Sequence, residues 1–121
     1  MSHPQETRVS GRIVGEVLDH APADLRPLDL LVLVALAEAA HDKDRTAVKN
    51  SSSEALAYRT RSTPSSVRNS LLRLKQRALI SPVHKKIHRG QCQHWIVAKL
   101  SDYHREGAII HDRKASPPDD A

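Results

Sequence analysis

The chain has 121 residues, enough for one domain with a modest core, and its apolar content of 39% is low for a globular protein. Its 19 Lys and Arg residues outnumber its 14 Asp and Glu residues, and the net charge of +5 weakly favours a polyanionic partner. The single cysteine, Cys92, excludes an internal disulfide and is typical of a reducing cytoplasm. We expect neither a secretion signal nor a membrane span, because the longest apolar run is only LLVLVALAEAA.

The charge is distributed unevenly along the chain. Residues 55–101 contain ten of the 19 Lys and Arg residues and none of the 14 Asp and Glu residues. A segment with one sign of charge repels itself, so we expect a partner of the opposite sign to bind it.

The first half of the chain predicts helices. Residues 1–10 and 102–121 are polar and predict flexible ends. GRIVGEVLDHA, residues 11–21, has apolar residues at helical spacing, and the apolar stretch that begins at Pro27 predicts a helix buried on most sides. TAVKN, residues 46–50, predicts a short strand.

A helix over about 52–60 is predicted next. Ser51 and Glu54 have the spacing of a capping box, in which each side chain satisfies a backbone N–H at the start of a helix. The residues expected to face inward are Leu56, Ala57 and Thr60.

A further helix over about 63–77 follows a short turn. Thr63 is predicted to be its N-cap, and Pro64 suits the first helical position, where no N–H is needed. Its apolar stripe consists of Val67, Leu71 and Leu74. The opposite side carries Ser65, Asn69, Leu72 and Gln76, flanked by Ser66, Arg68 and Arg73. Asn and Arg side chains can bond base edges in pairs, and Ser or Thr near a helix N-terminus can bond phosphates.

A β-hairpin over about 80–100 is predicted to follow. PVHKKIH and QHWIVAKL are rich in β-branched and aromatic residues and flank the turn RGQC. The register stays open, because both faces of the second strand carry apolar residues. We expect Lys85, Lys86, His88 and Arg89 near the hairpin tip, where they would contact phosphates or the minor groove.

The stretch EALAYRTRSTPSSVRNSLLRLKQRALISPVHK resembles the winged helix-turn-helix domains of bacterial transcription regulators, the broad group that includes the MarR and GntR types. It is most similar to small helix-turn-helix proteins common in actinobacteria, and the likeness covers residues 27–100. The residues that carry the likeness are Leu56, Ala57, Thr63, Val67, Arg68, Leu71, Leu74, Leu79 and Ile80. The resemblance implies a mainly α fold with a small β-hairpin wing, a domain over 11–101, and binding of double-stranded DNA in transcription regulation.

Three positions depart from the family pattern, and one of them is Ser53, which stands where an apolar residue is common. Position 61 is usually Gly because the turn adopts a left-handed conformation, and Arg61 there should cost about 1 kcal/mol. Ser62 replaces an apolar residue, so we expect a looser or differently shaped turn. Alternatively, Arg61 is retained because it contacts a phosphate.

Together these patterns predict a cytoplasmic, nucleoid-associated DNA-binding protein with no cofactor and no catalytic site. The predicted DNA contacts are Arg61, Thr63, Ser65, Ser66, Arg68, Asn69, Arg73, Lys85, Lys86 and Arg89. A homodimer is possible and would use residues 1–20 with the apolar helix.

Several alternatives stay open. The same fold could serve a replication, partition or architectural protein of a mobile element, or a protein-docking module. His88, Cys92 and His94 lie close together but have no recognised metal-ligand spacing. Trp95 could stack on a base, although a lone Trp in a strand is more often part of the core.

Overall fold

The computed structural model describes residues 11–83 and 93–100. Its elements, in chain order, are α1 (Arg12–His20), α2 (Pro27–Ala39), β1 (Thr46–Ala47), α3 (Ser53–Thr60), α4 (Pro64–Gln76), β2 (Ile80–Pro82) and β3 (Trp95–Val97). The described part of the chain is therefore mainly helical with a small antiparallel sheet, which confirms the predicted composition. This arrangement is compatible with a winged-helix layout.

The three strands form one sheet in the order β1-β3-β2. Ile80 lies opposite Val97 and Pro82 lies opposite Trp95, so the predicted antiparallel pairing of β2 with β3 is confirmed. Trp95 and Val97 face the core and Ile96 is half-buried, which settles the register that the sequence left open. The pairing of β1 with the other side of β3 was not predicted.

Helix α2 is the centre of the core and packs against α1, α3 and α4. Val32, Leu33 and Leu36 are fully buried, as expected for a helix covered on most sides. The largest buried side chains of the other helices are Ile13, Val17, Leu56, Val67 and Leu74. Burial of this apolar surface supplies most of the stabilising free energy of such a small domain.

The start of α3 differs from the prediction. Ser52, not Ser51, is the N-cap, and its hydroxyl accepts a hydrogen bond from the Ala55 N–H at 3.0 Å. Ser51 is buried, and its hydroxyl donates to the carbonyl of Val48 at 2.8 Å. The predicted capping box between Ser51 and Glu54 is therefore wrong, because the turn before the helix uses the Ser51 hydroxyl.

A partly buried ion pair joins α1 to the turn before β1 and, through Arg45, to the end of β3. The Arg45 Nη2 lies 2.6 Å from Glu16 Oε2, and the same guanidinium donates to the carbonyls of Val97 and Ala98, each at 2.8 Å. Glu16 also accepts a hydrogen bond from the Leu100 N–H at 2.6 Å. Burial raises the pKa of Glu16, but the bonds from Leu100 and Arg45 outweigh burial and leave the pKa below its usual value.

Candidate nucleic-acid interface

The turn between α3 and α4 has the conventional left-handed shape. Arg61 adopts φ 59° and ψ 41°, and the Ser62 N–H donates to the carbonyl of Ala57 at 2.9 Å. The Thr60 hydroxyl donates to the Leu56 carbonyl at 2.7 Å and lies 2.8 Å from the Ser62 hydroxyl. The expectation of a looser turn is therefore wrong, because Ser62 is held by a hydrogen bond where an apolar side chain was expected.

Helix α4 begins as predicted. The Thr63 hydroxyl accepts a hydrogen bond from the Ser66 N–H at 3.1 Å and donates to the Ser66 hydroxyl at 3.0 Å. Pro64 lies at the first helical position. The hydroxyls of Thr63 and Ser66 are thus engaged with each other, and the exposed Ser65 is the serine of this first turn with no such bond.

The two sides of α4 have opposite character. The predicted stripe of Val67, Leu71 and Leu74 is buried, and Ser70 is buried with it. The side turned away from the core carries Ser65, Asn69, Leu72 and Gln76, all of them exposed, which we call the outer face. Leu72 is 53% exposed, so the outer face combines hydrogen-bonding groups with one apolar side chain.

On one flank of the outer face, α4 is tied to α2 through Asp29. This carboxylate is 3% exposed and accepts a hydrogen bond from the Ser70 hydroxyl at 2.6 Å. The guanidinium of Arg73 donates to both carboxylate oxygens, each at 2.9 Å. The hydrogen bonds from Arg73 hold the pKa of Asp29 below its usual value, Ser70 adds to the effect, and burial opposes it.

This geometry gives Arg73 a structural partner that the sequence analysis missed. Arg73 was predicted to contact DNA, but its planar guanidinium already binds a carboxylate in the bidentate manner in which it would bind a phosphate. A DNA contact from Arg73 therefore stays a prediction, and such a contact would have to compete with Asp29 for the guanidinium. On the same flank, Arg77 lies 2.8 Å from Asp24 in a solvent-exposed ion pair.

The opposite flank of α4 has cations without carboxylate partners. Arg68 and Lys75 are exposed, and neither forms an ion pair with any residue of 11–83 or 93–100. Both line an open groove of about 380 Å³ between α4, the start of α3 and β3, and its apolar lining includes Leu71, Leu72 and Trp95. The N-terminal residues of α3, including Glu54, border the same groove, so this concave surface combines two cations with one acidic side chain.

The structure describes the residues at the base of the predicted hairpin, 80–83 and 93–97. Val83 N–H donates to the His94 carbonyl at 3.0 Å, and the Gln93 amide donates to the Val83 carbonyl at 3.2 Å. Trp95 is 9% exposed, which agrees with its reading as a core residue. The predicted contacts Lys85, Lys86 and Arg89, and the metal candidates His88 and Cys92, lie outside the described residues.

Comparison with protein-family models, with curated proteins and with solved structures finds no match to this chain. The family resemblance therefore stays a prediction that depends on the residues quoted for it. Among the residues that the structure describes, no helix has the length and apolar character to cross a membrane. In the same part of the chain, no three His, Cys, Asp or Glu side chains are grouped so as to hold a metal ion.

Proposed function

We propose that this protein binds double-stranded DNA as a winged helix-turn-helix protein and regulates transcription. In this proposal α3 and α4 are the motif helices, and the outer face of α4 lies in the major groove. One observation carries the proposal. Beside an outer face of hydrogen-bonding side chains, Arg68 and Lys75 are exposed and have no carboxylate partner within the described residues.

The outer face supplies groups that can distinguish base pairs. Asn69 lies at its centre, and an asparagine amide can bond both N6 and N7 of adenine. Leu72 is 53% exposed, and an apolar side chain in that position would contact a thymine methyl group. Ser65 and Gln76 extend the same exposed line towards the two ends of the helix.

The cations and the helix starts would bind the phosphates. Arg61 at the turn and Arg68 and Lys75 along the groove are exposed, and affinity from such contacts falls steeply with salt. Thr63 and Ser66 lie at the start of α4, where backbone N–H groups favour an anion. Lys85, Lys86 and Arg89 would add contacts from the wing.

The test is selection of bound duplexes from a random DNA library at near-physiological salt. An enriched motif supports sequence-specific recognition, and inverted symmetry in that motif would indicate a homodimer. Binding without enrichment would favour an architectural or partition role. Absence of binding even at low salt contradicts the proposal and favours a protein-docking module.

Substitutions distinguish the proposed base contacts from the proposed phosphate contacts. We expect Asn69→Ala to relax the preference at one base pair, and Arg68→Ala to weaken binding to all duplexes and reduce the salt slope by about 0.9. Lys43→Ala is the matched control, because Lys43 is also an exposed cation but lies in the turn after α2. Full selectivity in the Asn69 variant would show that α4 is wrongly oriented in the proposal.

A further inference from the structure

Asp29 is a buried carboxylate that binds Arg73, an arginine at the surface of the protein. Asp29 belongs to the first turn of α2, is 3% exposed and already accepts a hydrogen bond from Ser70. Arg73 approaches from the surface, where its side chain stays 33% exposed. A buried anion therefore binds a cation that would otherwise extend into solvent on the flank of the outer face.

We propose that Asp29 determines the salt dependence and the background affinity of DNA binding by keeping Arg73 away from the phosphates. The inference depends on the proposed function. Asp29 is a positioning residue in it, because it touches Arg73 and not the DNA. Its carboxylate occupies the Nε and Nη2 donors of the guanidinium, the pair of groups with which arginine often binds a phosphate.

The position of Arg73 on α4 makes the competition possible. Residues three and four positions apart are neighbours on a helix surface, so Arg73 adjoins Asn69 and Gln76 of the outer face. A guanidinium at that position, once released from Asp29, can reach the backbone beside a duplex in the groove. The Ser70 hydroxyl would still donate to the residue at position 29, so release of Arg73 need not separate α4 from α2.

If Asp29 holds Arg73, phosphate contacts supply a smaller share of the DNA-binding affinity, and base contacts supply a larger one. Each additional phosphate contact tightens binding to every duplex alike and carries no sequence information. With Arg73 held by Asp29, the cations of the described α4 surface that remain for phosphates are Arg68 and Lys75, both on the opposite flank. Asp29 thereby limits non-specific affinity while the outer face stays unchanged.

The experiment measures the dependence of the dissociation constant on salt for the full chain and one unrelated duplex. We expect Asp29→Asn to bind that duplex more tightly at low salt and to have a log–log slope steeper by about 0.9. Over a fourfold rise in salt, this difference corresponds to about a 3.5-fold greater loss of affinity. The double variant Asp29→Asn/Arg73→Ala should return to the original slope, because the released cation is then absent.

Glu38→Gln is the matched control. It also removes one carboxylate that holds an arginine, Arg59 at 3.0 Å, but this pair joins α2 to α3 rather than to α4. Its slope should equal that of the unaltered protein. An unchanged slope in a folded Asp29→Asn variant, or an equal change in Glu38→Gln, overturns the inference.

A second variant covers the case in which Asp29→Asn does not fold. Asp29→Leu/Arg73→Leu replaces the pair by apolar side chains, a change that buried pairs often tolerate. Its slope should match the unaltered protein if Arg73 makes no phosphate contact, and a slope shallower by about 0.9 overturns the inference. Failure of the proposed function is distinguishable, because the unaltered protein would then bind no duplex at any salt concentration.

Discussion

Arg45 and Glu16 are joined by two hydrogen bonds across 29 positions of the sequence, at 2.6 Å from Nη2 to Oε2 and 3.4 Å from Nη1 to Oε1. The two side chains are only 16% and 9% exposed, so neither charge is well solvated. The pair also fixes the backbone of Val97, Ala98 and Leu100, and therefore holds α1 against the end of the sheet.

We expect Glu16→Gln to lower the free energy of unfolding by about 2 kcal/mol, because it leaves a mostly buried guanidinium without its counter-charge. Urea unfolding followed by circular dichroism measures the difference. Glu38→Gln, which breaks the exposed pair with Arg59, should cost less than about 1 kcal/mol. Equal costs for the two variants would show that burial of the Glu16 pair is unimportant.

The carboxylates of Glu16 and Asp29 predict that the stability of the protein depends on pH. The pKa values of Glu16 and Asp29 lie below their usual values in the folded protein, so the unfolded chain binds more protons in acid. Their contribution to stability is complete above the unfolded pKa values of about 4 and is lost as the pH falls through the lower folded values. The melting temperature should therefore decrease below about pH 4, and Glu16→Gln should make this decrease shallower. A variant with an unchanged profile would contradict the role given to Glu16.

Replacement of Arg61 by glycine should have opposite effects on stability and on DNA binding. Its φ of 59° lies in the left-handed region, so Arg61→Gly should raise the free energy of unfolding by about 0.5 kcal/mol or more. If Arg61 contacts a phosphate, the same variant should bind DNA more weakly with a salt slope reduced by about 0.9.

The matched control for Arg61 is Ala78→Gly, since Ala78 is exposed and has φ 61°. This variant should gain similar stability from the same backbone relief without any change in the salt slope. Calorimetry and fluorescence anisotropy measure the two effects separately. A reduced slope in both variants would mean that the turn backbone, rather than the Arg61 cation, affects binding.

Removal of the N-cap of α4 should cause a modest loss of stability. Thr63→Ala removes the acceptor for the Ser66 N–H and should destabilise the protein by about 1 kcal/mol, whereas Thr63→Ser keeps the hydroxyl and should lose much less. Ser52→Ala at α3 provides the parallel case. Thermal unfolding of the three variants would show whether the two caps contribute equally. A Thr63→Ser variant as unstable as Thr63→Ala would contradict the capping role.

Local signals predicted the parts of the fold that local interactions determine. Thr63 and Pro64 fixed the start of α4, because capping and the missing proline N–H act within one helical turn. The inward stripe of Val67, Leu71 and Leu74 followed from helical spacing in the same way. Ser51 was mistaken for part of a cap because two adjacent serines offer the same hydroxyl, and only the turn geometry distinguishes them.

Long-range partners could not be read from the sequence with the same ease. Asp29 and Arg73 are 44 positions apart, and no local rule joins them. A signal was nevertheless present, because Asp29 interrupts an apolar run and Ser70 lies beside the buried stripe between Val67 and Leu74. Buried polar groups are almost always hydrogen-bonded, so both residues should have been expected to have partners in the core.

The central position of β3 has a consequence for the order of folding. β1 ends at Ala47, yet its partner strand begins only at Trp95, and the carbonyls that Arg45 binds belong to residues 97 and 98. During synthesis α1, α2 and β1 leave the ribosome long before the chain that closes the sheet. The helices can associate early through their apolar faces, and Glu16 can already pair with Arg45, but the edge of β1 stays unpaired until β3 is made. The sheet can therefore close only after residues 95–97 have been synthesised, because β3 pairs with both other strands.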